Sequence, residues 1–560
     1  MVFRTLYHRL NQKVSMEASL TTGLRQLAAC TLIVSLSACS ALDTAEDKGK
    51  IGSVKGYIGA VVADEPRAAL IGRDVLSAGG TAADAVTAMY FASAVTMPSS
   101  ASLGGGGVCV VHDRKDNKTE ALDFLSKAPQ SVPAGTVRPV GVPMNARGFF
   151  ILQSKYGDLR WAQLISPAEN LARFGTQVSR ALAAELRPVG DALIRDGEAA
   201  RVFAKEDGTP VHEGDFIKQY DLAATLTEIR TKGPGALYVG TFAKRFLESV
   251  KKAGGYLTAE DLRDALPQWR ETVKGLPYNF SVAHFAPPAA AGGVVGAQIW
   301  SMLVENGDFV SADEATRAHL LAEASMRAYG ERARWGSPDG RAREDVNALL
   351  TQDYIENLMQ GMSMDRHQPA NALSSPPQLT PEAPSALSLV AVDSFGMGVA
   401  CNVSMNSSFG VGRIAPQTGV LLSALPGLNG RGPMPLGPML IVNNNSNEVY
   451  FAGAASRGVT APTQLVNIAA RTFMAKQTMQ EAMSQPRTHH GGAPDKVFYE
   501  SNLDTNVVGK LQTLGYELSG VEGGIGIVNA IVCPGGLHAE PESCRAMNDP
   551  RGYGLTTGAE

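Results

Sequence analysis

The pattern of the chain predicts a mixed α/β (α+β) fold, in which two stacked, mostly antiparallel sheets are covered by helices. Three observations carry this. Val108-Cys109-Val110-Val111-His112, the polar stretch 113–117 and a return through Ala121-Leu122-Asp123-Phe124 read as a β-hairpin. The middle of the chain, 161–265, is rich in helical periodicity, and a further amphipathic helix is predicted over 317–329. From Leu387 onward apolar runs of strand length return at 387–392, 399–404, 420–422, 440–442, 449–451 and 525–532, alternating with helical stretches at 461–475 and 503–514.

The chain begins with a targeting signal. Arg25 precedes an apolar run from Leu27 to Val34 that closes in Leu36-Ser37-Ala38-Cys39. This run is too short to span a bilayer and suits the core of a signal peptide. Leu-Ser-Ala-Cys resembles a bacterial lipobox, so residues 1–38 are expected to be removed and Cys39 acylated, with 40–56 as a linker. Ser40 favours an outer-membrane lipoprotein facing the periplasm. Beyond the linker, Pro66 opens a helix that stops at Gly79-Gly80, and Thr81 with Asp84 forms the capping box of the next.

Composition narrows the function classes. A chain of 560 residues with 44% apolar content can bury a large core. Its formal net charge of −4 comes without basic clusters, which excludes nucleic acid as a partner. Cys109 and Cys401 lie in apolar strand-like runs and read as buried thiols. Cys533 and Cys544 flank a short turn-rich loop and are expected to form a disulfide in an oxidising compartment. Neither a metal nor a cofactor is assigned, because Cys-x₂-Cys and His-x₃₋₅-His spacings are missing. The adjacent His489 and His490 would point to opposite faces of a strand.

An ordered series of motifs then points to a family. It runs from Gly79-Gly80-Thr81-Ala82-Ala83-Asp84-Ala85, through Pro98-Ser99-Ser100-Ala101-Ser102-Leu103-Gly104-Gly105-Gly106-Gly107 and Ala121-Leu122-Asp123-Phe124, to Gly254-Gly255-Tyr256-Leu257-Thr258. It resumes in Ser385-Ala386-Leu387-Ser388-Leu389-Val390-Ala391-Val392-Asp393 and Asn406-Ser407-Ser408-Phe409-Gly410-Val411-Gly412, and ends near Asp549-Pro550-Arg551. The series covers nearly all of 57–555 and resembles the γ-glutamyltransferase family of the Ntn-hydrolase superfamily. The resemblance implies an αββα sandwich with 57–385 as a large-subunit-like region and 386–560 as a small-subunit-like region. An active member cuts itself before a threonine, whose freed amine then activates the hydroxyl for γ-glutamyl or glutathione chemistry.

Counting back from Asp393 places Ala386 at that threonine, and a methyl group cannot attack a carbonyl. The arginine that would clamp the substrate carboxylate is replaced by Leu125, and the carboxylate that would hold its amine by Leu428. The paired-serine position falls near Met434-Pro435, and the glycine pair that would donate oxyanion N–H groups is replaced around Gly453-Ala454-Ala455-Ser456-Arg457-Gly458. Asn406 and the hydroxyl of Ser404 still match. The expected reading is an uncleaved pseudoenzyme that binds a small ligand or an envelope protein, held to the membrane through Cys39. The rival is an active γ-glutamyltransferase, glutathione hydrolase or other amide hydrolase that uses Ser385 or Ser388 after self-cleavage. A third reading, a Ser/His/Asp hydrolase with His489 or His490 as base, lacks a Gly-x-Ser-x-Gly elbow.

Overall fold

Side-chain alternation along the central strands fixes the layering. In strand Leu387–Asp393, Leu387, Leu389 and Ala391 join the apolar cluster under one set of helices, while Val390 and Val392 join the cluster between the sheets. Every residue of this strand is buried, as expected where both faces of a sheet are covered. The computed structural model describes residues 58–377 and 386–558, all within one unit, Gly56–Glu560. The expected signal peptide 1–38, Cys39, the linker 40–56 and Ser385 lie outside the described residues.

The first sheet has seven strands in the order Leu555–Gly558, Gly59–Ala63, Leu387–Asp393, Gly398–Ser404, Gly106–Asp113, Lys118–Phe124 and Gln268–Arg270. The second has six, in the order Arg545–Met547, Ile527–Val532, Glu448–Ser456, Met439–Asn443, Ser281–Phe285 and Val273–Lys274. All neighbours in both are antiparallel. Helix Ala82–Thr96, apolar all round and buried along its whole length, backs the first sheet. Helices Ala291–Asn306, Glu314–Trp335 and Ala461–Ala469 back the second. The result is the αββα sandwich that the motif series implies.

Local chemistry sets the joints. Pro66 occupies the first turn of helix Pro66–Ser77 behind a Glu65 cap, and Thr81 and Asp84 form a reciprocal capping box. Asp393 closes strand Leu387–Asp393 by accepting the backbone N–H groups of Ala82 at 2.8 Å, Phe395 at 2.9 Å and Met397 at 3.1 Å. Gly106 is required where it stands, because a Cβ there would lie 2.1 Å from the Ser126 nitrogen.

One expectation fails. Cys109 and Cys401 are buried, but they are not free thiols: they form a disulfide. The register places Cys401 directly opposite Cys109 on neighbouring strands, where the two sulfurs face one another. Residue-by-residue burial could not distinguish a thiol from half of a bridge. The bond joins strand Gly106–Asp113 to strand Gly398–Ser404 across 292 residues. Cys533 and Cys544 form a second disulfide, across 11 residues.

Candidate functional site

Ala386 lies just ahead of strand Leu387–Asp393, half-buried, at the end of the first sheet where Asp64 and Ser404 also emerge. By parity it shares the inter-sheet side with Ser388, Val390 and Val392. It lines a cavity of about 560 Å³ whose other walls include Asp64, Met97, Glu185, Ser456 and Tyr553. The outer wall comes from the short helix Arg180–Leu186, part of a small cap whose apolar core (Leu182, Leu186, Phe203, Ile217) also holds Met405 and Phe409.

Beneath Ala386 the apolar inter-sheet core gives way to a polar floor. Asp64 accepts the Ser388 N–H and the Asn529 amide, both at 2.8 Å, and a hydrogen bond from Ser456. The Asn402 amide donates to Ser388 Oγ at 3.2 Å and to the Ala455 carbonyl at 3.1 Å. Burial pushes the Asp64 carboxyl up to about 6, although the Ser388, Asn529 and Ser456 hydrogen bonds oppose it. Across the cavity, burial also raises Glu185, which accepts from Ser408 at 3.0 Å.

The hydroxyls nearest in sequence to Ala386 are engaged. Ser388 is fully buried, with its oxygen held by Asn402. Ser404 Oγ accepts the Asn406 N–H at 2.9 Å, and Asn406, at φ 60°, gives its side-chain amide to the Ala424 carbonyl at 2.9 Å. Asn406 is thereby a turn-forming residue and does not line the cavity. Leu125 does not line it either. It belongs to the inter-sheet apolar cluster and borders a separate cavity of about 570 Å³, whose walls include Asp123, Lys127, Arg270 and Asp339. Leu428 is half-buried in a turn closed by a Gly427 N–H to Arg431 carbonyl bond of 2.7 Å, and it lines neither cavity.

The gamma-glutamyltranspeptidase family model matches residues 68–424 and 432–559. The chain belongs to the gamma-glutamyltranspeptidase family. It is 28% identical over 512 residues to the glutathione hydrolase proenzyme of Escherichia coli K12, covering 83% of this chain and 87% of that protein. It is likewise 28% identical to the glutathione hydrolase proenzyme of Bacillus subtilis 168, covering 85% and 88%. Among solved structures, a cephalosporin acylase from Bacillus halodurans superposes with a TM-score of 0.75 at 23% identity, over 90% of this chain and 96% of that one. The gamma-glutamyltranspeptidase of Helicobacter pylori superposes with a TM-score of 0.51 at 28% identity, over 58% and 96%. These likenesses fix the Ntn-hydrolase fold.

In this family member the two histidines serve separate clusters. His489 packs edge-on against Tyr329 and meets Thr463 at 3.2 Å, and burial drives its pKa down to about 3. His490 Nε2 lies 3.2 Å from Asp495 Oδ1, which also contacts His367 Nε2 at 3.1 Å. His367, His490 and Asp495 are close enough to hold a metal ion. However, His490 Nδ1 accepts the Gly492 N–H at 2.9 Å, which leaves the proton on Nε2, facing Asp495. The geometry is that of a carboxylate–imidazole pair. Neither histidine lines the cavity beside Ala386.

Sequence reading missed Asp64, Asn402, Ser456 and Asn529 as a group. Their one signal is parity: each falls on the inward side of its strand, or one step beyond it, in line with Val62, Ala400, Ala454 and Ile531. Asp64 is masked in the sequence by Glu65-Pro66, which reads as a helix cap.

Proposed function

We propose that this chain is an uncut member of its family, a pseudoenzyme on the bacterial envelope that binds a ligand or partner and does not transfer γ-glutamyl groups. The observation that carries the reading is the methyl side chain of Ala386, in the nucleophile's position at the cavity wall. Ser388 and Ser404 do not substitute for it: Ser388 is fully buried with its oxygen accepting from Asn402, and Ser404 Oγ accepts the Asn406 N–H in a neighbouring turn. Leu125 and Leu428 agree with the loss: once no carboxylate or amine needs clamping, a buried arginine or aspartate is a cost and an apolar residue is not. Two disulfides suit an oxidising compartment, and the lipobox supplies an outer-membrane anchor at Cys39 with the body in the periplasm.

The test is intact-mass analysis of the mature protein after full reduction. Reduction matters, because Cys109–Cys401 would hold two fragments together and disguise a cut. A single polypeptide beginning at acylated Cys39 is expected. Two polypeptides with a new N-terminus at Ser385 or Ala386, or a covalent acyl adduct on Ser385 or Ser388, would overturn the reading.

A further inference from the structure

The two ends of the sandwich expose different surfaces. One end holds Ala386, its cavity and the cap; at the other, hairpin turns from both sheets come together. Strand Gly59–Ala63 pairs with Leu387–Asp393 in the register Gly59 to Asp393 and Ala63 to Leu389, so the chain enters the sandwich at this second end. Residues 40–57, with Cys39 before them, are attached there and not beside the cavity. The turn that follows Asp393 carries Phe395 at 61% exposure. In the second sheet Tyr278 and Ser281 pair across a two-residue turn whose tip, Phe280, is 73% exposed. Contacts run from one turn to the other. The Arg114 side chain lies against Gly396 and donates to Glu448 at 3.0 Å, His112 Nε2 meets the Asn447 carbonyl at 3.1 Å, and the Phe280 carbonyl accepts the Asn444 N–H at 3.0 Å.

Phe280 is costly where it stands. Asn279 and Phe280 have φ of 48° and 62°, and a two-residue hairpin turn with φ positive at both positions favours Gly at the second. A bulky side chain there strains the backbone, and this one also leaves its ring in water. Glycine would close the same turn without either cost, so the ring is displayed for a contact outside the fold. Tyr278, half-buried at the base of the turn, packs edge-on to Phe473 with ring centroids 6.0 Å apart and adds an amphipathic ring. Charge at this end is balanced: Arg114, Lys115 and Lys118 are offset by Asp113 and Asp116, and Arg114 is paired with Glu448. The disulfide loop, tied to Glu448 through the His538 N–H at 2.7 Å, adds Glu540 and Glu542.

We infer that the end of the sandwich bearing Phe280 and Phe395 rests on the lipid bilayer, both rings entering the headgroup layer of a largely zwitterionic surface, and that the cavity beside Ala386 faces away from it. This rests on the reading of Cys39 as an acylated anchor, whose attachment through Gly59 brings this end toward the lipid. Aromatic rings in that layer recover the apolar contact they lack in water, and the balanced charge gives no selection for anionic lipid. The cap offers a rival apolar surface in Phe174 and Phe216, exposed by 67% and 59%, but it lies at the cavity end, opposite the point of attachment.

Nitroxide labels on the full acylated chain test the orientation. On this reading the mature protein has no free thiol, since Cys39 is acylated and the other four cysteines are paired. Phe280→Cys, Phe395→Cys and Phe216→Cys therefore each take one label, and circular dichroism checks that each stays folded. In vesicles of phosphatidylcholine and phosphatidylethanolamine, power saturation compares collisions with dioxygen, which concentrates in lipid, and with a water-soluble nickel chelate. The oxygen-to-nickel ratio is expected to be at least about threefold higher at 280 and 395 than at 216. A ratio at 280 and 395 no higher than at 216, on vesicle-bound protein, overturns the inference and leaves the anchor standing. A chain that stays off the vesicles and lacks the acyl mass at Cys39 removes the anchor, and this inference with it.

Discussion

Asp64 and Glu323 are carboxylates withdrawn from water in the same molecule, and they respond in opposite directions. Glu323, at 0% exposure, meets Arg327 at 2.5 Å, His367 at 2.7 Å and Tyr516 at 2.8 Å. Burial alone would raise its pKa, but the His367 hydrogen bond and the Arg327 charge hold it at about 2. Asp495, at the far side of His367, is held at about 2 against its own burial by the hydrogen bonds of His490 and of the Ala370 N–H. Asp64 is hydrogen-bonded only by amides and hydroxyls, feels the Asp549 charge as well, and rises to about 6, chiefly by burial. In the charge-matched cluster the partners outweigh burial. In the cluster without a cation burial prevails, and this second kind lies beside Ala386.

Acidification should separate the two clusters with the largest effect. Asp64 and Asp393, both raised to about 6 chiefly by burial, weaken the fold at neutral pH, and that cost is relieved as pH falls from about 6 toward 4. His284 and His489, lowered to about 3 by burial, contribute stability that is present above 6.5 and lost as pH falls toward 3. Glu323 and Asp495 contribute stability that is lost between the ordinary carboxylate range and about pH 2. Between pH 6 and 4 the aspartate gain and the histidine loss oppose one another, so denaturant midpoints are expected to change little there and to fall below pH 4, where the histidines, Glu323 and Asp495 lose stability together. A steep loss between pH 6 and 4 would contradict the assignment.

Among variants, Glu323→Gln strands Arg327 and is expected to cost about 3–5 kcal/mol in a urea titration. Removing Cys109–Cys401 by paired alanine substitutions is expected to cost about 2–4 kcal/mol without changing the secondary structure seen by circular dichroism. Asp64→Asn should be the contrast to Glu323→Gln. It removes a charge whose net cost, its hydrogen bonds included, is about 3 kcal/mol from the rise of 3.8 to about 6, but it turns an amide nitrogen toward the Ser388 N–H or the Asn529 amide, a loss of similar size. A net change within about 1 kcal/mol at pH 7.5 is expected from the same titration. Ala386→Thr should be smallest, below about 1 kcal/mol, and should release no chromophore from γ-glutamyl-p-nitroanilide because Leu125 and Leu428 cannot clamp the substrate. Measurable turnover by that variant would mean that the clamps persist elsewhere in the cavity.

The sandwich was legible because its signals are local and ordered: the capping box at Thr81 and Asp84, the hairpin through Val108 and Phe124, and a motif series in fixed succession. The strand that follows Ala386 was legible for the same reason. The Cys109–Cys401 bond depends on the register between strands 292 residues apart, which no local pattern records. The short strands Gln268–Arg270, Val273–Lys274 and Arg545–Met547 at the sheet edges carry too few residues to show alternation. The Glu323 network draws on a helix, the 367–370 segment, Asp495 and Tyr516, so its parts read in sequence as isolated polar residues. Leu125 and Ala386 belong to one site in the motif comparison, yet the packed inter-sheet cluster gives them separate cavities, and only the completed core shows that.

The covalent stitch between strands Gly106–Asp113 and Gly398–Ser404 also governs how copies of this chain can meet. Once Cys109 has closed on Cys401 of the same molecule, the two halves cannot be traded between neighbours, so strand-exchanged dimers are barred after oxidation. The same stitch would keep the two pieces in one covalent molecule if the chain were cut between Cys109 and Cys401.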